Sequence, residues 1–94
     1  MIEVDRLIHE PARLALMAIL AGVEEADFLY LLRQSGLTKG NLSSHLSTLE
    51  GAGYVEIQKT FRGKIPLTVI RLTQAGRTAL RTYKTAMAGL LRRC

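Results

Sequence analysis

A chain of 94 residues with 48% apolar side chains suits one small globular domain, is too short for two, and is too apolar to be disordered. Its net charge of +5 is unevenly placed: residues 1–37 carry three basic and six acidic side chains, residues 38–94 ten basic and two acidic. A lone cysteine, Cys94, excludes an intrachain disulfide and a thiolate metal cluster, and no apolar run approaches the roughly 20 residues that cross a membrane. The mixed-charge start Met1-Ile2-Glu3-Val4-Asp5-Arg6 is unlike a targeting peptide, so a cytoplasmic protein without membrane association, metal or cofactor is expected.

Residues 2–9 suit a short helix or an irregular arm, and Pro11 suits the first turn of the helix after it, where its missing N–H has no intrahelical partner. Leu14 to Ala21 is apolar without a break. A helix apolar all round must bury more than one face, and in so small a domain that points to a second subunit against Leu14, Met17 and Ala18. Gly22 ends this helix. Asp27 is the expected cap of a second helix, whose apolar face is Phe28, Leu29, Leu31 and Leu32 and whose stop is Ser35-Gly36.

Thr38 caps the third helix. Leu42, Leu46 and Leu49 stand at i, i+4 and i+7 and share one face of it. The opposite face carries Gly40, Asn41, Ser44, Ser47 and Thr48, which are small, polar and uncharged. A solvated helix face usually carries Lys and Glu; a face like this one suits close approach to a crowded polar surface such as the major groove of DNA. The second and third helices, joined by a tight glycine turn, make a helix-turn-helix over 27–52. Tyr54 to Phe61 then alternates at strand period, Arg62-Gly63-Lys64-Ile65-Pro66 is a cationic turn, and Leu67 to Leu72 is a second strand rich in β-branched residues. Phe61 and Ile65, which could pack the hairpin or intercalate, are expected to pack this two-stranded hairpin, over 54–72. Thr73 opens a last helix, over 73–93, with a seam of Leu80, Tyr83, Met87, Leu90 and Leu91 suited to packing on a partner subunit. The expected fold is α+β, mainly α: a single domain over 1–94, with N-terminal helices over 1–25 and a C-terminal dimerisation helix.

These segments resemble the compact single-domain winged-helix transcriptional regulators, relatives of the MarR and ArsR groups. The resemblance is carried by Pro11-Ala12-Arg13-Leu14, by Gly36-Leu37-Thr38-Lys39-Gly40-Asn41-Leu42-Ser43-Ser44-His45-Leu46 and by Leu49-Glu50-Gly51-Ala52-Gly53-Tyr54-Val55. Lys59-Thr60-Phe61-Arg62-Gly63-Lys64-Ile65-Pro66-Leu67-Thr68 and Arg71-Leu72-Thr73-Gln74-Ala75-Gly76-Arg77 follow in order. It implies a homodimer on a near-palindromic site in double-stranded DNA. The metal-binding Cys and His residues of the ArsR group are absent, and so are the longer helical extensions that shape ligand pockets in the MarR group, which leaves a small-molecule effector open.

Residue chemistry assigns roles on DNA. Thr38 and the first N–H groups of its helix suit a phosphate. Lys39 suits phosphate or guanine, Asn41 a bidentate pair with adenine, and Ser43, Ser44 and Ser47 either backbone or base edges, while Gly40 permits close approach. Arg62 and Lys64 at the hairpin tip are expected at the minor groove, with Lys59 and Arg71 on its flanks as phosphate contacts. His45 is expected half-buried beside the leucine stripe. No paired carboxylates, nucleophile–histidine arrangement or phosphate loop suggests an enzyme. The alternative is a winged helix used only for protein contact, which would need no cationic tip.

Overall fold

The computed structural model describes residues 3–94, so Met1 and Ile2, where the expected arm starts, lie outside the described residues. The element order is α1 (Pro11–Ala21), β1 (Ala26–Asp27), α2 (Phe28–Ser35), α3 (Lys39–Gly51), β2 (Val55–Arg62), β3 (Ile65–Leu72) and α4 (Gln74–Leu91). Each helix starts on a side-chain cap. The Glu10 carboxylate accepts from the Ala12 and Arg13 N–H groups, Asp27 from Tyr30, Thr38 from Asn41 and Thr73 from Gly76. The Arg13 N–H above all, then that of Ala12 and the charges of His45 and Arg13, hold the Glu10 carboxyl below its ordinary value. Gly36 closes α2 at φ 70°, a left-handed conformation that glycine adopts without a Cβ penalty.

The N-terminal segment takes the second of its two expected forms, the arm, so that the N-terminal helices expected over 1–25 reduce, among the described residues, to one. One helix, α1, forms before residue 26, and residues 3–10 are an arm held by specific contacts. Asp5 accepts from the Leu7 N–H at 2.9 Å and from the Tyr54 hydroxyl. Ile8 is fully buried, and His9 Nδ1 bonds the Tyr83 hydroxyl at 2.8 Å.

The sheet is antiparallel and has three strands in the order β1-β3-β2, where two were expected. The extra strand, Ala26–Asp27, pairs with Ile70 and Val69. The hairpin is also longer than expected, with Arg62 paired to Ile65 across a two-residue turn. Gly63 takes φ 62° and Lys64 keeps a negative φ, the sign pattern of a II′ turn, which suits the twist of the flanking strands. Closing the turn at 62–65 makes 61–66 a non-hydrogen-bonded pair, so Pro66, which has no N–H, sits inside β3 without breaking the ladder to β2.

The core draws on every element. Leu16, Met17, Leu31, Leu42, Leu49 and Ile70 are fully buried, joined by Leu20, Leu46, Val55, Leu72, Leu80 and Tyr83. Helix α1 touches α2, α3, α4 and β3, which bury Leu16, Met17 and Leu20, while Ala15, Ala18 and Ala21 stay exposed. The large apolar side chains of α1 are thus covered by this chain's own elements, and only its alanine face is left open. Met17 at 0%, Tyr83 at 6% and Leu80 at 8% exposure therefore leave the expected subunit surface. Of the other residues expected there, Ala18, Leu90 and Leu91 are exposed, and Leu14 and Met87 are half-buried.

One glycine fixes how α4 leaves the sheet. A Cβ on Gly76 would stand 2.1 Å from the Tyr54 carbonyl oxygen. That carbonyl accepts from the Thr73 N–H at 3.0 Å, and the Thr73 hydroxyl donates to the Gly53 carbonyl at 2.6 Å. The start of α4 is thereby tied to the turn that ends α3.

Candidate nucleic-acid interface

The leucine stripe of α3 points inward, with Leu42, Leu46 and Leu49 at 0, 2 and 0% exposure. The polar face points outward: Thr38, Lys39, Gly40, Asn41, Ser43, Ser44 and Ser47 are all exposed. Thr38 Oγ1 accepts from the Asn41 N–H at 3.1 Å, whereas the N–H groups of Lys39 and Gly40, as at any helix start, meet no carbonyl within the helix. Nothing lies within 4 Å of the Cβ position of Gly40, so a close surface can approach the backbone there.

A cleft of about 560 Å³ separates α3 from the sheet. Ser43 and Ser47 line one wall, Lys59 and Thr68 the other, with Leu46, Ile57 and Phe28 as its apolar parts and Glu50 as its one acid. Strand periodicity explains the arrangement. Val55, Ile57, Lys59 and Phe61 occupy one face of β2, passing outward from core to cleft to tip. Thr68, directly opposite Lys59, completes the cleft, although its position in the sequence carries no charge or motif that would single it out.

The cations sort into two groups. Lys39, Lys59, Arg62 and Lys64 are exposed, and none of them joins an ion pair among the described residues. Arg71 differs. It lies on the other face of the sheet, opposite Glu56, and its guanidinium reaches Glu25 at 3.1 Å, Glu56 at 3.2 Å and Gln58 at 3.3 Å. Two carboxylates offset its charge in a clamp that ties the segment before β1 to the hairpin.

Behind α3, His45 is half-buried as expected. Its Nδ1 lies 3.3 Å from Arg13 Nη1 and 3.7 Å from a Glu10 carboxylate oxygen, while Arg13 Nε donates to the Leu7 carbonyl at 2.6 Å. This cluster fixes the inner flank of α3 against the start of α1. No grouping of His, Cys, Asp and Glu that could hold a metal ion occurs among the described residues, and no helix there is long and apolar enough to cross a membrane.

Two residues sit where the sequence did not point. Phe61 and Ile65, expected to pack the hairpin, are each 68% exposed. With only two residues in the turn between Arg62 and Ile65, both stand at the very tip, beyond the reach of the core.

Comparison with known proteins bears on the fold. A protein of Methanocaldococcus jannaschii, described as uncharacterized, is 37% identical over 79 residues, 83% of this chain and 85% of its own. The structure of a transcriptional regulator homologue from Pyrococcus horikoshii superposes with a TM-score of 0.88 at 27% identity, covering 94% of this chain and 87% of its own. A MarR-family transcriptional regulator of Silicibacter pomeroyi shares the fold, with a TM-score of 0.69 at 23% identity over 94% of this chain and 58% of its own. The family model described as a winged helix DNA-binding domain matches residues 12–91. The chain belongs to the winged helix DNA-binding domain family, the resemblance that its turn, helix and hairpin motifs carry.

Proposed function

We propose that this DNA-binding winged helix is a sequence-specific transcriptional regulator that acts as a homodimer on double-stranded DNA, with α3 in the major groove and the hairpin as a basic wing at the minor groove. One observation carries the reading. An uncharged polar helix face and four cations without carboxylate partners form a path from the start of α3, across the cleft, to the hairpin tip. Such a path complements a phosphate-walled groove, where neutralised phosphates release counterions.

Roles follow from chemistry. Lys39, Lys59, Arg62 and Lys64 supply charge. Asn41 presents an amide able to pair with adenine in the major groove, and Ser43, Ser44 and Ser47 bond base edges or backbone. Helix α3 has no arginine, the strongest reader of guanine, so DNA shape and deformability take a larger share of specificity. Leu90 at 39% and Leu91 at 62% exposure, with Ala18 and the half-buried Leu14 and Met87, are the apolar surface proposed to meet a second subunit.

Fluorescence anisotropy on a labelled random-sequence duplex, across a salt series, tests the charge assignment. Lys59→Ala, Arg62→Ala and Lys64→Ala should each weaken binding to all sequences and lower the salt slope by about one unit. Arg71→Ala, whose charge is already clamped, should leave the slope unchanged. If the combined Arg62→Ala, Lys64→Ala variant keeps both affinity and slope, the hairpin makes no DNA contact and the protein-contact reading takes its place.

A further inference from the structure

Phe61 and Ile65, at 68% exposure, are more open than Leu91 at 62% or Leu29 at 56%. A large apolar side chain left in water gives up most of the free energy that its burial would contribute. Their placement is specific. Phe61 pairs across the strands with Pro66, on the face that holds Lys59 and, two residues deeper, Ile57. It therefore stands about 7 Å farther out than Lys59 along the wall that faces the α3 cleft. Ile65 pairs with Arg62 on the opposite face. Arg62 shares that opposite face with Ile65, and the two-residue turn holds Gly63, at φ 62°, and Lys64. The tip is thus short, with Phe61 and Pro66 on one wall, Ile65 and Arg62 on the other and Lys64 at its end.

We infer that this tip is an apolar wedge for the DNA minor groove, in which Phe61 and Ile65 press on the groove walls and loosen one base step while Arg62 and Lys64 hold the flanking phosphates. The inference rests on the DNA-binding reading above. Two cations beside the apolar pair oppose docking into an apolar protein pocket but match a groove walled by phosphates. Phe61 also continues the surface formed by α3, the cleft and Lys59, so a duplex lying on that surface meets it next. Size adds the mechanical consequence. Two strands about 5 Å apart, with side chains on both faces, are wider than a minor groove of about 6 Å, so the tip enters only by opening it. Opening is cheapest at flexible pyrimidine–purine steps, and apolar side chains inserted there kink the duplex. Phe61 and Ile65 thereby determine specificity through deformability, without hydrogen-bonding a base.

The test compares an alternating d(TA) duplex, rich in flexible steps, with a d(A)·d(T) tract, which is stiff and has a narrow groove that attracts cations. A purely cationic wing prefers the tract; a wedge prefers the alternating duplex. Wild type should favour the alternating duplex, and a fluorescent adenine analogue placed in it should brighten on binding as the step unstacks. Phe61→Ala should lower affinity for that duplex roughly ten-fold. It should also abolish the brightening and reverse the preference, with the salt slope retained because no cation is lost. Phe61→Leu should keep much of the effect, and Ile65→Thr should weaken it. Both side chains are exposed, so these variants keep the fold, as circular dichroism will verify. If Phe61→Ala binds both duplexes as wild type does, the wedge is refuted while DNA binding stands. If wild type binds neither duplex at low salt, the DNA-binding reading fails and the wedge with it.

Discussion

Gly76→Ala tests the joint on which the orientation of α4 depends. The added methyl would lie 2.1 Å from the Tyr54 carbonyl oxygen and 2.9 Å from its carbon. Carbon–oxygen contacts begin near 3.3 Å, so about 1.2 Å of movement is required. The carbonyl cannot retreat freely, because it accepts from the Thr73 N–H at 3.0 Å while the Tyr54 N–H donates to the Leu49 carbonyl at 2.9 Å. Overpacking of this kind costs about 1–3 kcal/mol, and loosening one such hydrogen bond adds about 1 kcal/mol. A total of about 2–4 kcal/mol is a large share of the 5–15 kcal/mol typical of a domain, and should lower the melting temperature by at least about 8 °C. Thermal unfolding followed by circular dichroism reads the effect. Gly89→Ala is the control: it lies within α4 and its Cβ would meet only the Arg92 side chain, at 3.8 Å. There alanine should stabilise, by up to about 1 kcal/mol. If Gly76→Ala melts with wild type, the close approach of α4 to the α3–β2 turn is not a constraint on the fold.

Tyr54 gives an alkaline signature. Its bond to the Asp5 carboxylate, with burial adding, pushes the phenol from 10.0 up to about 12. The folded value exceeds the unfolded one, so this contribution is complete below pH ~10 and is lost as pH rises toward ~12. Denaturant titrations should show a steeper alkaline loss for wild type than for Tyr54→Phe, and identical profiles would contradict the bond. Replacing Leu90 and Leu91 together by Glu should leave the monomer fold intact, since both are exposed, but reduce the sedimenting mass to that of one chain. An unchanged dimer would move the subunit contact elsewhere, and a monomeric wild type would remove it. Asn41→Ala should cost about 1–3 kcal/mol on the preferred site and little on random duplex, whereas equal losses on both would make Asn41 a backbone contact.

Helix α3 was legible because its signal is local. Leu42, Leu46 and Leu49 fall on one stripe, Thr38 caps it, and the outward polar face follows from the same periodicity. The caps at Asp27 and Thr73 were readable for the same reason. Strand β1 was not, because two residues cannot show an alternation. Periodicity also tells which face is apolar and not which chain covers it. Met17, Leu80 and Tyr83 read as an outer seam, yet the N-terminal arm and the α1–α4 contact close over them. Arg71 read as a free cation because Glu25, one of its partners, lies 46 residues away. Phe61 and Ile65 suit packing by hydrophobicity alone, which carries no information on burial at a hairpin end. Only the length of the turn, which the ladder register reveals, places them at the tip.

Footprinting on a site selected from random duplexes by the purified protein tests the central claim most directly. Two α3 helices of a dimer should enter successive major grooves about 34 Å apart, protecting two half-sites roughly 10 base pairs centre to centre. Minor-groove contacts from Arg62 and Lys64 should appear beside each half-site and vanish when both are changed to Ala. Enrichment of no sequence, or a footprint indifferent to Asn41, Arg62 and Lys64, would contradict the account.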